Sequence, residues 1–274
     1  MQTSLGKALE VCLRGVVLGK ELELNARAAL ARSLVRETPI PESVKLAIGS
    51  DYGKLCDIYY PGVDVAVRSS ATTEDSKEAS FAGQYESFLN VSGEVEIVEK
   101  WRRCVASMFT ERSVGYHLEN GLHPLESAVA VVVMKMARSD KACSGVMFTI
   151  DPDSGHGGVI HIASSYGLGE LVVQGVVTPD TYTIWKEGLR KGKSPIVHRT
   201  LGSKEQMLVY DDELANEVSS VRVPLDLRKR WSLERDECVM LWEIAVFIEY
   251  YFDQPMDIEW AKEGVTGEIY IVQA

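Results

Sequence analysis

The end of the chain carries a strict alternation of apolar and polar residues, which predicts a β-strand. In Met256-Asp257-Ile258-Glu259-Trp260 the two carboxylates point to one face of the strand, because side chains alternate between faces, and the apolar side chains point to the other. Residues 264–267, Gly-Val-Thr-Gly, predict a hairpin loop that returns residues 268–273 as an antiparallel strand. The hairpin would bring Gln273 close to the two carboxylates.

Helical spacing dominates the first part of the chain, and strand-like segments dominate the second. Helices are predicted at residues 5–35, 41–55, about 97–120 and 233–252, the last one capped by Ser232. Strands are predicted at residues 64–68, 127–136, 144–150, 159–163, 181–186 and 195–199, with a polar loop at 69–80. The change of pattern predicts two lobes, residues 1–130 and 131–274.

Charge and composition exclude several classes of protein. The 274 residues carry a formal net charge of −11, which argues against a surface that coats nucleic acid or binds an anionic membrane. The longest strongly apolar run, residues 128–134, is far shorter than the roughly 20 residues that span a bilayer, and the N-terminus has no signal-peptide pattern. Five scattered cysteines without a C-x-x-C pair suit reduced thiols. We therefore predict a cytoplasmic protein.

Two groups of residues could carry chemistry. Asp257, Glu259 and Gln273 would supply hard oxygen ligands for Mg²⁺ bound with the phosphates of a nucleotide, although a solvent-facing edge hairpin explains the same pattern. Arg68 ends an apolar strand just before a run of hydroxyl residues, 69–73, and its planar guanidinium matches phosphate oxygens. An ion pair between Arg68 and a nearby acid, such as Glu74, is the alternative.

Other motifs are weaker. Gly83 would let a backbone N–H approach a phosphate. The Gly-rich segment 164–170 is explained by turn formation about as well as by ligand binding. The five histidines have no metal-ligand spacing, and each one is expected to be structural or at the surface. No G-x-S-x-G motif is present, so hydrolase chemistry has little support.

Several motifs together resemble one family. They are Val65–Asp75, Ser80–Tyr85, Lys135–Asp140, Ser144–Thr149, Ser165–Glu170, Val172–Gly175, Pro179–Asp180, Met256–Trp260 and Ile271–Ala274. In this order they strongly resemble the ATP-grasp nucleotide-binding region of the phosphoenolpyruvate synthase and pyruvate phosphate dikinase family, a region shared with rifampicin phosphotransferases. The similarity covers nearly everything from about residue 30 onward.

The resemblance implies an α/β (α+β) ATP-grasp fold whose two lobes, with mixed or antiparallel sheets, clasp ATP. The family's site residues correspond here to Arg68 as the catalytic phosphate ligand, Gly83 and Ser87 in a phosphate-covering loop, Met134 and Met136 beside the adenine, and Asp257, Glu259 and Gln273 as ligands of Mg²⁺. Family members usually have glutamine where Met134 stands. The family's Gly-Gly-Lys segment does not precede Met1, so the first lobe is expected to be incomplete.

The resemblance also implies a reaction. ATP would phosphorylate a histidine on a separate carrier domain, and the phosphoryl group would reach pyruvate in a barrel domain, giving phosphoenolpyruvate, AMP and phosphate. Neither of those domains is present in the chain, so we expect both to be supplied elsewhere. A rifampicin phosphotransferase-like dikinase and a non-catalytic nucleotide-binding fragment are the alternatives. A homo-oligomer is a further expectation.

Overall fold

The computed structural model describes residues 4–71, 86–188, 195–211 and 217–274. The chain divides into two compact units, Met1–Met136 (unit 1) and Ala137–Ala274 (unit 2). The sequence placed the division six residues earlier, after residue 130. The difference lies in the last strand of unit 1, Val129–Lys135, which pairs along its full length with Val65–Ala71 of the same unit.

Unit 1 combines five helices with a three-stranded sheet among its described residues. The helices are α1 Ser4–Leu13, α2 Glu21–Glu37, α3 Glu42–Ile58, α4 Glu94–Ser107 and α5 Glu111–Glu119. The strands are β1 Val65–Ala71, β2 Ser87–Val91 and β3 Val129–Lys135, in the antiparallel order β2-β1-β3. One face of this sheet packs on helices, because Val65 and Val67 join Ile97 and Cys104 of α4 in one buried cluster.

Two helices that the sequence predicted as continuous are interrupted. The first helical stretch is divided into α1 and α2, and the intervening residues Gly15 and Gly19 have φ angles of 75° and 84°. Such left-handed residues cannot continue a right-handed helix. The helical stretch predicted at about 97–120 is divided into α4 and α5. The division lies before α5, where the Thr110 side chain accepts a hydrogen bond from Ser113 N–H at 3.1 Å and starts a new helix. Its predicted end is confirmed by the helix terminus at Asn120.

The predicted polar loop also begins too early. Strand β1 continues through Ala71, because residues 69–71 pair with the start of β3. Alternating hydroxyl residues are compatible with an extended strand, so polarity alone did not mark its end. Residues 72–85, which include Gly83 and most of the loop, lie outside the described part of the chain.

Unit 2 is built on a six-stranded antiparallel sheet in the order β11-β10-β4-β5-β6-β7. Its strands are β4 Cys143–Phe148, β5 Val159–Tyr166, β6 Asp180–Trp185, β7 Ile196–Thr200, β10 Asp257–Lys262 and β11 Ile269–Gln273. A separate hairpin, which the sequence did not predict, pairs β8 Gln206–Tyr210 with β9 Val218–Arg222. Short helices α6 Glu170–Val173 and α7 Leu225–Arg228 and a 3₁₀ turn Ser139–Lys141 complete the connections.

Helix α8, Arg235–Phe252, covers one face of the six-stranded sheet. Its buried residues Leu241 and Trp242 pack with Ile258 and Trp260 of β10. Ser232 is not its N-cap, contrary to the prediction from the sequence. Glu234 is the N-cap and forms a reciprocal capping box, in which its own backbone N–H donates to Glu237 Oε2 at 2.8 Å.

The Gly-rich turn after β5 has a structural role. Gly167 has a φ angle of 87°, and a Cβ atom at this position would lie 2.6 Å from the carbonyl oxygen of Leu208 in β8. The next residue, Leu168, donates its N–H to the same carbonyl at 3.0 Å. The glycine therefore allows the β8–β9 hairpin to approach the main sheet.

In the described part of the chain, no helix is both long and apolar enough to cross a membrane.

Candidate nucleotide-binding surfaces

The predicted acidic hairpin is confirmed. Glu259 of β10 lies directly opposite Gln273 of β11, so their side chains share one face of the sheet with Cβ atoms about 5 Å apart. Asp257 lies two residues before Glu259 and points to the same face. Ile258 and Trp260 point to the other face and are buried beneath α8. Burial of these two side chains fixes the carboxylates on the opposite face from α8.

The carboxylates belong to a larger polar face of the six-stranded sheet. The strand register aligns two rows of side chains across that face: Asp257, Phe148, His161, Thr183 and His198 in one, and Gln273, Glu259, Val146, Ala163, Thr181 and Thr200 in the other. The acidic end lies at β10 and β11, whereas hydroxyl and imidazole groups occupy the end at β6 and β7. The face therefore offers oxygen ligands at one edge and hydroxyl and imidazole groups at the other.

The donor set at the acidic edge fits Mg²⁺ carried by a nucleotide. Asp257 and Gln273 are exposed and Glu259 is half-buried, so their oxygens can be reached from solvent. Within the described ranges, no cluster of three or more His, Cys, Asp or Glu residues could hold a metal by itself. Mg²⁺ commonly binds one or two carboxylates and takes its remaining ligands from phosphates and water, so two acids and an amide are sufficient.

A second candidate surface lies on the three-stranded sheet of unit 1. Arg68 of β1 is directly opposite Ser87 of β2 and Val132 of β3, so these three side chains share a face. Met134 is paired with Ala66 and lies on the same face, diagonal to Arg68. The sheet therefore brings together the guanidinium, the hydroxyl and the thioether that the sequence analysis assigned to nucleotide binding. The alternative partner Glu74 lies outside the described residues.

The end of β3 is held within unit 1 by its own hydrogen bonds. Met136 is buried, and its backbone N–H donates to the carbonyl oxygen of Asp64 at 3.0 Å. The carbonyl oxygen of Met136 accepts from the side-chain amine of Lys135 at 3.0 Å, and that amine also lies over the Tyr59 ring. An adenine beside this strand end would therefore not receive the Met136 N–H.

One buried charged group was missed as an organising residue. Asp180, at the start of β6, is fully buried and receives hydrogen bonds from the N–H of Gly202 at 2.8 Å, from the Lys204 ammonium, and from the N–H and hydroxyl of Ser232, each at 2.8 Å. It joins β6 to the 202–204 turn and to the segment before α8. The alternation of β6 carried a signal, because Asp180 shares its face with the buried residue Tyr182.

His117 confirms the structural expectation for histidines. Its ring is buried in α5, where Nδ1 contacts the carbonyl oxygen of Ser113 at 2.8 Å and Nε2 contacts the Ser127 hydroxyl at 2.7 Å. Because a carbonyl oxygen only accepts, Nδ1 carries the proton and Nε2 accepts from Ser127. Burial lowers the pKa of His117 below its usual 6.5, against a smaller opposing effect of the hydrogen bond to Ser113.

The residues after the unit boundary are tied to the acidic hairpin. Arg138 donates two hydrogen bonds to Asp140, at 2.9 and 2.8 Å, and its guanidinium lies 3.9 Å from the centre of the Tyr210 ring. Its backbone N–H donates to buried Glu263 at 3.2 Å, and its carbonyl oxygen accepts from the N–H of Gly264 at 3.2 Å. The 3₁₀ turn thus holds the loop that connects β10 with β11.

The α/β architecture, the candidate phosphate ligands and the candidate cation ligands are those expected of a nucleotide-binding domain. All 274 residues match the family described as pyruvate phosphate dikinase, AMP/ATP-binding domain, and the chain belongs to this family. The resemblance found in the sequence is thereby confirmed, as is the expectation of a mixed α/β protein with antiparallel sheets.

The chain is similar to curated proteins from bacteria and an archaeon. It is 44% identical over 262 residues to the phosphoenolpyruvate synthase of Synechocystis sp., covering 92% of this chain and 32% of that protein. It is 41% identical over 254 residues to the Escherichia coli phosphoenolpyruvate synthase, covering 92% and 32%. It is 38% identical over 274 residues to a probable phosphoenolpyruvate synthase of Methanocaldococcus jannaschii, covering 100% and 22%. The chain therefore spans about a third or less of the length of these relatives.

Proposed function

We propose that the chain is the Mg²⁺-ATP-binding part of a phosphoenolpyruvate synthase-type dikinase and has the ATP-grasp fold. The opposed pair Glu259 and Gln273, with Asp257 on the same sheet face, carries this proposal. An edge hairpin with no ligand would explain the alternation of residues but not its place within a match of the whole chain to an ATP-binding domain family.

Each group has a defined task in this proposal. Arg68 makes paired hydrogen bonds to phosphate oxygens, and Ser87 adds a hydroxyl donor on the same face. Gly83 allows a backbone N–H to reach the phosphates, and Met134 and Met136 border the adenine. The hairpin oxygens of Asp257, Glu259 and Gln273 hold Mg²⁺, which offsets the negative charge of the phosphates when bound.

Phosphoryl transfer asks little covalent chemistry of the protein. Its catalytic contribution is to position the phosphates and stabilise the charge that develops on them, which is the work proposed for Arg68. The acceptor is a histidine of a separate carrier domain, and pyruvate bound in a further domain receives the phosphoryl group. The names and greater lengths of the relatives support this assignment.

We place the protein in the cytoplasm, to which five free cysteines are suited.

Calorimetry with Mg²⁺-ATP, and with ATP in the presence of EDTA, tests the nucleotide site. Glu259→Gln should weaken Mg²⁺-ATP binding about 10- to 100-fold, since a contact to a charged group contributes roughly 1.5–3 kcal/mol, and should change metal-free binding little. Glu268→Gln is the matched control, because it removes the same charge from an exposed position on the same hairpin. Equal affinities of the two variants, or no nucleotide affinity in the unmodified protein, would reject the proposed site.

Arg68→Lys tests the phosphate contact separately. A lysine keeps the positive charge but loses the planar pair of donors, so binding should weaken with and without Mg²⁺. The acceptor is tested by mixing the chain with radiolabelled ATP and the part of the Synechocystis relative that this chain does not match. Acid-labile, base-stable label on the carrier histidine is expected, and its absence while ATP still binds would identify a non-catalytic nucleotide-binding protein.

A further inference from the structure

The imidazole ring of His161, on β5, forms no hydrogen bond within the described part of the chain. His117 and His161 are the two histidines that are not exposed. Both ring nitrogens of His117 are hydrogen-bonded, and the exposed His198 contacts the Thr200 hydroxyl through Nε2 at 3.1 Å. The half-buried ring of His161 therefore keeps both of its nitrogens for a ligand.

This ring lies on the sheet face that carries the proposed Mg²⁺ ligands. The strand register pairs Asp257 with Phe148 and Phe148 with His161, so the carboxylate and the imidazole stand in one row. Neighbouring strands are about 4.8 Å apart, which separates the two Cα atoms by roughly 10 Å. Thr183 is the next residue of the row and adds a hydroxyl group beside the ring. A triphosphate whose Mg²⁺ is held at Asp257 is long enough to extend across this separation.

Asp151, in the loop that follows β4, places a negative charge near the ring. Its carboxylate accepts from the Ser154 hydroxyl at 2.7 Å and from the Asp153 N–H at 3.1 Å. The Ser154 hydroxyl is the largest cause that lowers the pKa of Asp151, followed by the Asp153 N–H, and the charge of His161 is a smaller cause. A phosphate bound on the other side of the ring would place it between two anions, and nearby anions favour the imidazolium form, in which both nitrogens donate.

We propose that His161 donates a hydrogen bond to the triphosphate of the bound nucleotide, at a phosphate that extends from the metal towards β5. The inference rests on the proposed nucleotide site and adds a phosphate ligand from unit 2. His198 stands in the same row but on β7, roughly 20 Å from Asp257, which is too far for the same phosphate chain. Phe148 lies between Asp257 and His161 and has no polar group, so the ring is the next hydrogen-bond donor along the row.

Calorimetry with two substitutions of one residue tests the contact. His161→Phe removes the ring N–H groups and should weaken Mg²⁺-ATP binding about 10- to 100-fold, whereas His161→Gln keeps an amide donor and should lose less. AMP lacks the outer phosphates and should bind the unmodified protein and both variants alike. It is a suitable probe because the family is described as an AMP/ATP-binding domain. His198→Phe is the matched control and should bind Mg²⁺-ATP like the unmodified protein.

Nuclear magnetic resonance with isotope-labelled histidine observes the ring directly. The signal that disappears in His161→Gln identifies His161 among the five histidines. Mg²⁺-ATP should shift the ring-nitrogen signals of His161, since a donated hydrogen bond changes the surroundings of the nitrogen. AMP should leave these signals unchanged. A residue with a purely structural role would not distinguish the two nucleotides.

The outcomes separate this inference from the nucleotide site itself. If Glu259→Gln weakens Mg²⁺-ATP binding but His161→Phe does not, the site stands and the contact of His161 is rejected. Equal losses of ATP and AMP affinity in His161→Phe, or ring signals that respond equally to both nucleotides, would also reject the contact and assign the ring a structural role. No nucleotide affinity in the unmodified protein would reject both the site and the contact.

Discussion

Replacing Asp180 with asparagine should destabilise unit 2 severely, because it removes the negative charge beside the fully buried ammonium of Lys204. After the change, the ammonium has only neutral acceptors among the described contacts, namely the amide oxygen of the new side chain and the carbonyl oxygen of Gly202 at 3.1 Å. Removing one partner of a buried ion pair typically costs about 3–5 kcal/mol, since the other charge stays out of water without compensation. We expect a loss in this range.

Replacing Lys204 instead of Asp180 should cost less unfolding free energy, because Asp180 has other hydrogen-bond donors that remain when Lys204 is removed. After Lys204→Met, the Asp180 carboxylate still accepts from Gly202 N–H and from the N–H and hydroxyl of Ser232, all at 2.8 Å. We therefore expect a loss of about 1–3 kcal/mol. In the double variant Asp180→Asn/Lys204→Met, the total should be smaller than the sum of the two single losses.

Urea unfolding followed by tryptophan fluorescence measures these effects in the relevant unit. Four of the five tryptophans lie in unit 2, namely Trp185, Trp231, Trp242 and Trp260. The shift in midpoint multiplied by the common slope gives each loss of unfolding free energy. Asp226→Asn, at an exposed acid of α7, should remain within about 0.5 kcal/mol of the unmodified protein. The reasoning fails if Asp180→Asn matches this control or costs no more than Lys204→Met.

Three further substitutions test local features. Asp253→Gly should raise the melting temperature through a gain of about 0.5 kcal/mol, because Asp253 ends α8 with a left-handed φ of 51°; a lower melting temperature would contradict this. Gly145→Ala should cost more than about 3 kcal/mol in urea unfolding, since its Cβ would lie 1.9 Å from the Ala163 carbonyl oxygen; an unchanged midpoint would disprove the close approach of β4 and β5. His117→Gln should weaken the pH dependence of thermal unfolding followed by circular dichroism. The lowered pKa of His117 keeps the folded ring neutral while the unfolded ring takes up a proton, so native stability is present above pH 6.5 and is lost as the pH falls below it; identical pH profiles would refute this.

Local alternation predicted the strands and faces that depend on neighbouring residues alone. The acidic hairpin was predicted from the period of two in β10. The start of α3 was predicted from Pro41, which is compatible with the start of a helix but not with its interior. The division of the long helix before α5 depends on a cap at Thr110, which a continuous helical pattern conceals. The β8–β9 hairpin depends on a backbone approach at Gly167, and the pairing of Lys204 with Asp180 spans 24 residues. Contacts of this kind are set by tertiary structure, which the spacing of apolar and polar residues along the chain does not encode.

The candidate site shows where local pattern ends and register begins. The sequence places Arg68, Ser87 and Met134 on strands, but only strand pairing makes Ser87 the opposite neighbour of Arg68. A one-residue slip of a strand would exchange its faces, so burial of Val65 and Val67 against the helices also decides where the guanidinium points. The same argument applies to the hairpin, where Ile258 and Trp260 hold the carboxylates on the face opposite α8. In both units the apolar residues of a strand position its polar residues, so a substitution that disturbs the core should also displace the proposed ligands.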